Sequence, residues 1–176
     1  TGLLGNDAWQ ARWIGADRPD REASQPCPFV RRAFDVDAPV RRARLYYAAR
    51  GVCEFHINGH RLDDPVLSPG WTDFRKRLQY VTVDVTALVS AGANAIGAIL
   101  GDGWYSGHLG FRSRTRGHYG REPQLLAQLV IETDGGGTLV IATDDQWRWT
   151  TGPLLASDIY HGEAYDAQLE LGGWSE

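Results

Sequence analysis

The sequence predicts an all-β domain built as an antiparallel β-sandwich or jelly roll, and three observations carry that expectation. Its apolar residues recur in short segments with a period of two. Asn58-Gly59 separates two such segments, and both residues tolerate the positive φ of a type I′ hairpin. No run of ten or more residues has the apolar period of a helix. The 176 residues are the size of one domain, and 43% of them are hydrophobic, enough for a substantial core. The 7 Trp and 21 Gly fit a strand-and-turn chain, where glycines serve tight turns and aromatics fill pleated faces.

Residues 1–12 show no clear period and read as a linker or the tail of a preceding domain. Trp13-Ile14 opens the ordered part, expected over 13–170. Asp, Arg, Pro and Ser mark 16–28 as an exposed loop. A strand follows over 29–36, anchored by Phe29, Phe34 and Val36, and further strands over 44–49 and 52–57. In the last, Cys53, Phe55 and Ile57 point to one face, Val52 and His56 to the other. The chain reverses at Asn58-Gly59 into His60-Arg61-Leu62. Residues 78–85 alternate as a half-buried strand, and Ala87-Leu88-Val89 forms a single helical turn. The mostly apolar run 94–100 reads as a central strand covered on both faces. Strands are also expected over 125–133, 138–143 and 147–150, with Gly135-Gly136-Gly137 turning between the first two. Residues 171–176 read as the start of a following linker.

A net charge of −4 argues against a nucleic-acid partner, which favours a strongly basic face. No apolar run approaches the roughly 20 residues of a membrane helix. Cys27 and Cys53 are too few for a disulfide scaffold and are expected to be inert thiols. Cysteine usage therefore gives no compartment. A chain beginning Thr1-Gly2 reads as excised from something longer.

Gly101-Asp102-Gly103-Trp104-Tyr105-Ser106-Gly107 departs from a dinucleotide loop, since its third glycine is one place late and no helix is expected after it. The adjacent carboxylate, indole and phenol instead suit a sugar. Aromatic faces stack on the apolar side of a pyranose while Asp102 accepts hydrogen bonds from hydroxyls. Core packing is the competing role for Trp104. His56 and His60 flank a turn, so their spacing of four is not a helical pair. His108, His118 and His161 fall in separate loops and are expected to be solvated or hydrogen-bonded. No G-x-S-x-G elbow is present. Asp63, Asp64, Asp73, Asp102, Asp158 and Glu163 are loop carboxylates, and none forms a recognisable catalytic pair. Their oxygens would also suit Ca²⁺.

Asp84-Val85-Thr86-Ala87-Leu88 followed by Gly92-Ala93-Asn94-Ala95-Ile96-Gly97 resembles a strand–turn–strand of galactose-binding-like jelly rolls in glycoside hydrolases. Phe55-His56-Ile57-Asn58-Gly59, Pro69-Gly70-Trp71-Thr72-Asp73-Phe74, Arg77-Leu78-Gln79-Tyr80 and Leu100-Gly101-Asp102-Gly103-Trp104-Tyr105 stand in an order similar to the N-terminal domain of bacterial α-L-rhamnosidases. Ser157-Asp158-Ile159-Tyr160 and Gly162-Glu163-Ala164-Tyr165-Asp166-Ala167 resemble that family's closing motif. The resemblance implies a non-catalytic module ahead of a catalytic (α/α) barrel on the same polypeptide. It would recognise or position L-rhamnose or a rhamnose-containing glycan; the alternative is a spacer that binds nothing. Trp71, Asp73, Asp102, Trp104 and Tyr105 are the sugar-contact candidates, and catalytic residues are expected elsewhere. Ca²⁺ is implied as cofactor, with Asp63 and Asp64 as its candidate ligands. Family members often carry Asp-Asn where this chain has Asp63-Asp64, so the carboxylates suited to a cation are kept. A binding module should leave Trp71 or Trp104 exposed; a spacer should bury both.

Overall fold

The computed structural model describes residues 8–17, 24–62, 66–110 and 116–176. The strands are β1 (Pro28–Val36), β2 (Val40–Arg50), β3 (Val52–Ile57), β4 (His60–Arg61), β5 (Val81–Asp84), β6 (Gly92–Gly101), β7 (Gln124–Thr133), β8 (Thr138–Ala142), β9 (Arg148–Thr151), β10 (Leu154–Asp158) and β11 (Gly162–Tyr165). A short helix, α1 (Gly103–Ser106), forms within the glycine-rich stretch that follows β6. One sheet has the order β4-β3-β6-β1-β9, the other β5-β2-β7-β8, and β10-β11 is a separate hairpin. Every pairing between these strands is antiparallel.

The expected antiparallel sandwich is therefore what forms, and alternation explains its core. Ala43, Leu45, Tyr47 and Ala49 of β2 meet Leu125, Ala127, Leu129 and Ile131 of β7 in one cluster with Val30, Phe55, Ile57, Ile96 and Leu100. Within β3, Cys53, Phe55 and Ile57 are buried while Val52, Glu54 and His56 are only half-buried, as the period of two requires. Both cysteines are buried thiols outside any disulfide, and burial pushes the Cys53 thiol up, far from reactivity.

The hairpin after β3 forms as expected, with φ of 50° at Asn58 and 80° at Gly59. Its asparagine also reaches into the next motif. Asn58 Nδ2 donates to Leu88 O and to Asn94 Oδ1, each at 2.8 Å, and Asn58 Oδ1 accepts from Ala95 N at 2.7 Å. Asn94 Nδ2 in turn donates to Ser90 O and Gly92 O, both at 2.8 Å. Asp84 Oδ1 accepts from Thr86 N at 3.0 Å and Thr86 Oγ1 at 2.6 Å, while Thr86 Oγ1 accepts from Ala43 N at 2.9 Å. These bonds are the physical content of the Asp-Val-Thr and Gly-x-Asn motifs: they fasten the connection from β5 to β6 onto β2 and onto the hairpin. Asn94 is 5% exposed, so its loss would strand buried donors and acceptors. Asn94→Ala should cost about 2–3 kcal/mol, read as a lower urea midpoint with an unchanged slope.

The strands differ from the sequence expectations in three places. β2 starts four residues early, at Val40, because Arg41 and Arg42 find Glu132 across the pair with β7. β5 is shorter than 78–85, running only over Val81–Asp84. The β10-β11 hairpin was not expected as strands, since β11 is exposed along its whole length and shows no apolar alternation.

The two flanks make defined contacts. Gln128 Nε2 donates to Ala8 O at 3.1 Å, Gln10 N donates to Gln128 Oε1 at 2.9 Å, and Arg12 N donates to Thr143 O at 2.7 Å. At the other end Trp174 lies edge-on to Phe29 at 5.0 Å and tilted against His56, also at 5.0 Å. It occupies the space that a side chain on Gly97 would need, since a Cβ there would stand 2.4 Å from the indole.

Candidate functional site

The site candidates converge where β6 runs into α1 and where the loop before β5 returns. Trp71 and Trp104, 33 positions apart in sequence, lie with ring planes 5° from parallel and centroids 6.3 Å apart. Trp71 is 55% exposed and Trp104 half-buried, so this aromatic pair presents one open face. Asp73 is exposed beside it in sequence; its Oδ1 accepts from Arg75 N at 3.2 Å and its Oδ2 lies 3.4 Å from Lys76 Nζ.

The other two candidates, Tyr105 on α1 and Asp102 just before it, are placed differently. Tyr105 sits in an aromatic cluster, edge-on to Phe74 at 5.3 Å and near-parallel to Tyr119 at 6.5 Å. The Arg50 guanidinium stands 6.0 Å from its ring and 4.6 Å from that of Trp13. Asp102 is 4% exposed and turned inward onto Arg116, and Ser106 Oγ donates to its Oδ1 at 3.2 Å. A carboxylate held this way fixes the geometry of the loop that carries Trp104, rather than opening toward solvent. Asp63 and Asp64, the candidate metal ligands, lie outside the described residues.

The fold also assembles a group that the sequence left scattered. His108 Nδ1 lies 2.9 Å from Asp158 Oδ2, and His161 Nδ1 lies 4.0 Å from Asp158 Oδ1. The two imidazoles are 4.3 Å apart, centroid to centroid. Burial of Asp158 opposes its ionisation, yet the His108 amide and ring and the Tyr160 and His161 amides outweigh it and hold the carboxyl at about 2. His108 and Asp158 are 50 positions apart, so no local pattern could join them.

A groove of about 230 Å³ opens elsewhere, lined in part by Tyr47, Phe55, Leu62, Glu54, Arg61 and Glu163. That is smaller than the roughly 300–1,000 Å³ of most small-molecule pockets.

The two-sheet antiparallel fold defines the chain as a β-sandwich domain. A sequence model of the α-L-rhamnosidase N-terminal domain matches residues 38–176, and the chain belongs to that family. An α-L-rhamnosidase of Formosa agariphila is 38% identical over 183 residues, covering 99% of this chain and 20% of that protein. One from Streptomyces avermitilis is 46% identical over 136 residues, covering 77% of this chain and 13% of its own length. The chain thus spans about a fifth or less of the curated relatives it matches. Among solved structures, the native α-L-rhamnosidase of Aspergillus terreus superposes with a TM-score of 0.95 at 43% identity, over 99% of this chain and 20% of the other. The S. avermitilis enzyme, solved in complex with L-rhamnose, gives 0.83 at 42% identity over 86% and 15%. A Pleurotus ostreatus lectin in its apo form, 14% identical with a TM-score of 0.53, shares the fold.

Proposed function

We propose that this chain is a non-catalytic module of an α-L-rhamnosidase that recognises rhamnose-containing glycans through the Trp71–Trp104 face. The observation that carries this reading is the exposure of a large, flat indole held parallel to a second one at the end of a rigid sandwich. An isolated apolar ring of that size gains little in water, whereas the C–H face of a sugar fills it well. Asp73, exposed beside Trp71, would accept hydroxyl hydrogen bonds. Asp102 and Tyr105 would act from behind, by keeping the loop in shape. The catalytic carboxylates of the parent enzyme would lie in another part of the polypeptide, and the isolated chain should release no rhamnose from an aryl rhamnoside. The requirement for Ca²⁺ is proposed from the family resemblance alone.

Titration of the chain with L-rhamnose in a calorimeter, with and without Ca²⁺, tests the reading. Saturable heat is expected at millimolar sugar. Trp71→Ala should weaken binding roughly tenfold or more, taking as the scale the ~1–3 kcal/mol that a nucleobase gains by stacking on an aromatic side chain. The thermal midpoint should not move, since Trp71 is mostly exposed. No heat at millimolar rhamnose with Ca²⁺ present would favour a structural spacer.

A further inference from the structure

We propose that His108, Asp158 and His161 form a binding site for a divalent transition-metal ion of the Zn²⁺ type, distinct from the proposed sugar face and from the Ca²⁺ expected of Asp63 and Asp64. One ligating atom from each side chain lies within 4.8 Å of the other two. A tetrahedral ion with ligands at about 2.0–2.2 Å needs them about 3.3 Å apart. The His108–Asp158 separation of 2.9 Å is already close to that value. The longer approach involves His161, whose side chain is 66% exposed and can rotate inward.

The chemistry selects the class of ion. Two imidazoles with one carboxylate suit Zn²⁺, Co²⁺ or Ni²⁺, while Ca²⁺ and Mg²⁺ prefer an all-oxygen shell. Asp158 is prepared for the role. Its carboxylate is 5% exposed, and Oδ1 is fixed by the Tyr160 and His161 amides at 2.9 and 3.1 Å. The His108 amide, at 2.8 Å, fixes Oδ2. Those three bonds aim the carboxylate at the imidazoles, as an outer shell orients metal ligands.

The site explains a glycine. A Cβ on Gly107 would stand 2.8 Å from Asp158 Oδ2 and 2.5 Å from Gly103 O, so only glycine lets the α1 exit approach the carboxylate. Metal binding would then tie that exit to the turn between β10 and β11. Three protein ligands leave a fourth position for water or another oxygen ligand.

Metal-free chain titrated with Zn²⁺ alone should bind one equivalent. Co²⁺ alone should produce the visible absorption of a four- or five-coordinate ion. His161→Ala should weaken Zn²⁺ binding roughly tenfold or more and abolish the Co²⁺ band, with no change in fold because His161 is exposed. His118→Ala, which removes a histidine from a neighbouring exposed position, should change neither. Excess Ca²⁺ should not compete. Failure to bind Zn²⁺ stoichiometrically, or equal binding by His161→Ala and the parent chain, would overturn the proposal and leave a His–Asp hydrogen bond beside a tilted imidazole. Because the test uses no sugar, its failure is separate from failure of the rhamnose reading.

Discussion

Replacing Asp102 by alanine is expected to destabilise the chain by about 3–5 kcal/mol, the range for breaking one half of a buried ion pair. The side chains of Asp102 and Arg116 are 5% and 7% exposed and bonded to one another. Removing the carboxylate takes an anionic partner from a buried guanidinium, and leaves Ser106 Oγ without its side-chain acceptor. For a chain of this length that corresponds to a fall in melting temperature of roughly 10 °C. The paired substitution Asp102→Leu with Arg116→Met should recover most of the loss, because removing both charges removes the desolvation penalty with them. Calorimetric or dichroism melts of the two variants decide. Equal destabilisation by the single and the paired change would mean that shape, not charge, holds this loop. The same pair of variants separates scaffold from contact: the double variant should still bind whatever ligand the Trp71–Trp104 face takes.

Much of this architecture is legible in the sequence where the local signal and the tertiary demand agree. β3 and its hairpin are the clearest case, because the alternation of Cys53, Phe55 and Ile57 and the turn residues Asn58-Gly59 point to the same register. β6 was legible for another reason: from Ala95 to Leu100 it is buried at every position but Ile99, so its composition there is continuously apolar. The β10-β11 hairpin offered neither signal. Its β11 arm is Gly, Glu, Ala and Tyr, exposed along its length, and the pairing is defined by β10 rather than by a pattern of its own.

The candidate site divides in the same way. An indole and a carboxylate side by side identify a loop worth attention, but not which of the two faces solvent. That depends on Arg116, 14 positions away, which draws Asp102 inward. Tyr105 is likewise claimed by Phe74, Tyr119 and Arg50, residues from three other segments. The His108–Asp158–His161 group is the extreme case, because it exists only once the β10-β11 turn is folded against the exit of α1. Spacing rules find metal ligands on one helix or one loop; they are blind to ligands delivered by separate strands.

The chain crosses from one sheet to the other between β2 and β3 through a single residue, Gly51, and Gly51→Ala is expected to be among the most damaging small changes in the molecule. Its φ is +121°, a region outside even the left-handed helical basin that other residues sometimes visit. A Cβ there would also stand 2.4 Å from Gly101 O, a backbone atom at the end of β6 that cannot swing away. The strain costs on the order of 1–3 kcal/mol and the overpacking about as much again, so a loss of roughly 3–5 kcal/mol is expected. Gly136→Ala is the internal comparison. Its φ is also positive, at +79°, but nothing lies within 4 Å of the added methyl. That change should cost only about 1–2 kcal/mol, the conformational penalty alone. Urea melts of the two variants measure the difference, which is the contribution of the close backbone approach. Since Gly101 leads directly into Asp102 and α1, the loss should also loosen the Trp71–Trp104 face, visible as a red shift in tryptophan emission. Equal costs for the two substitutions would show that the sheet corner yields to an extra methyl.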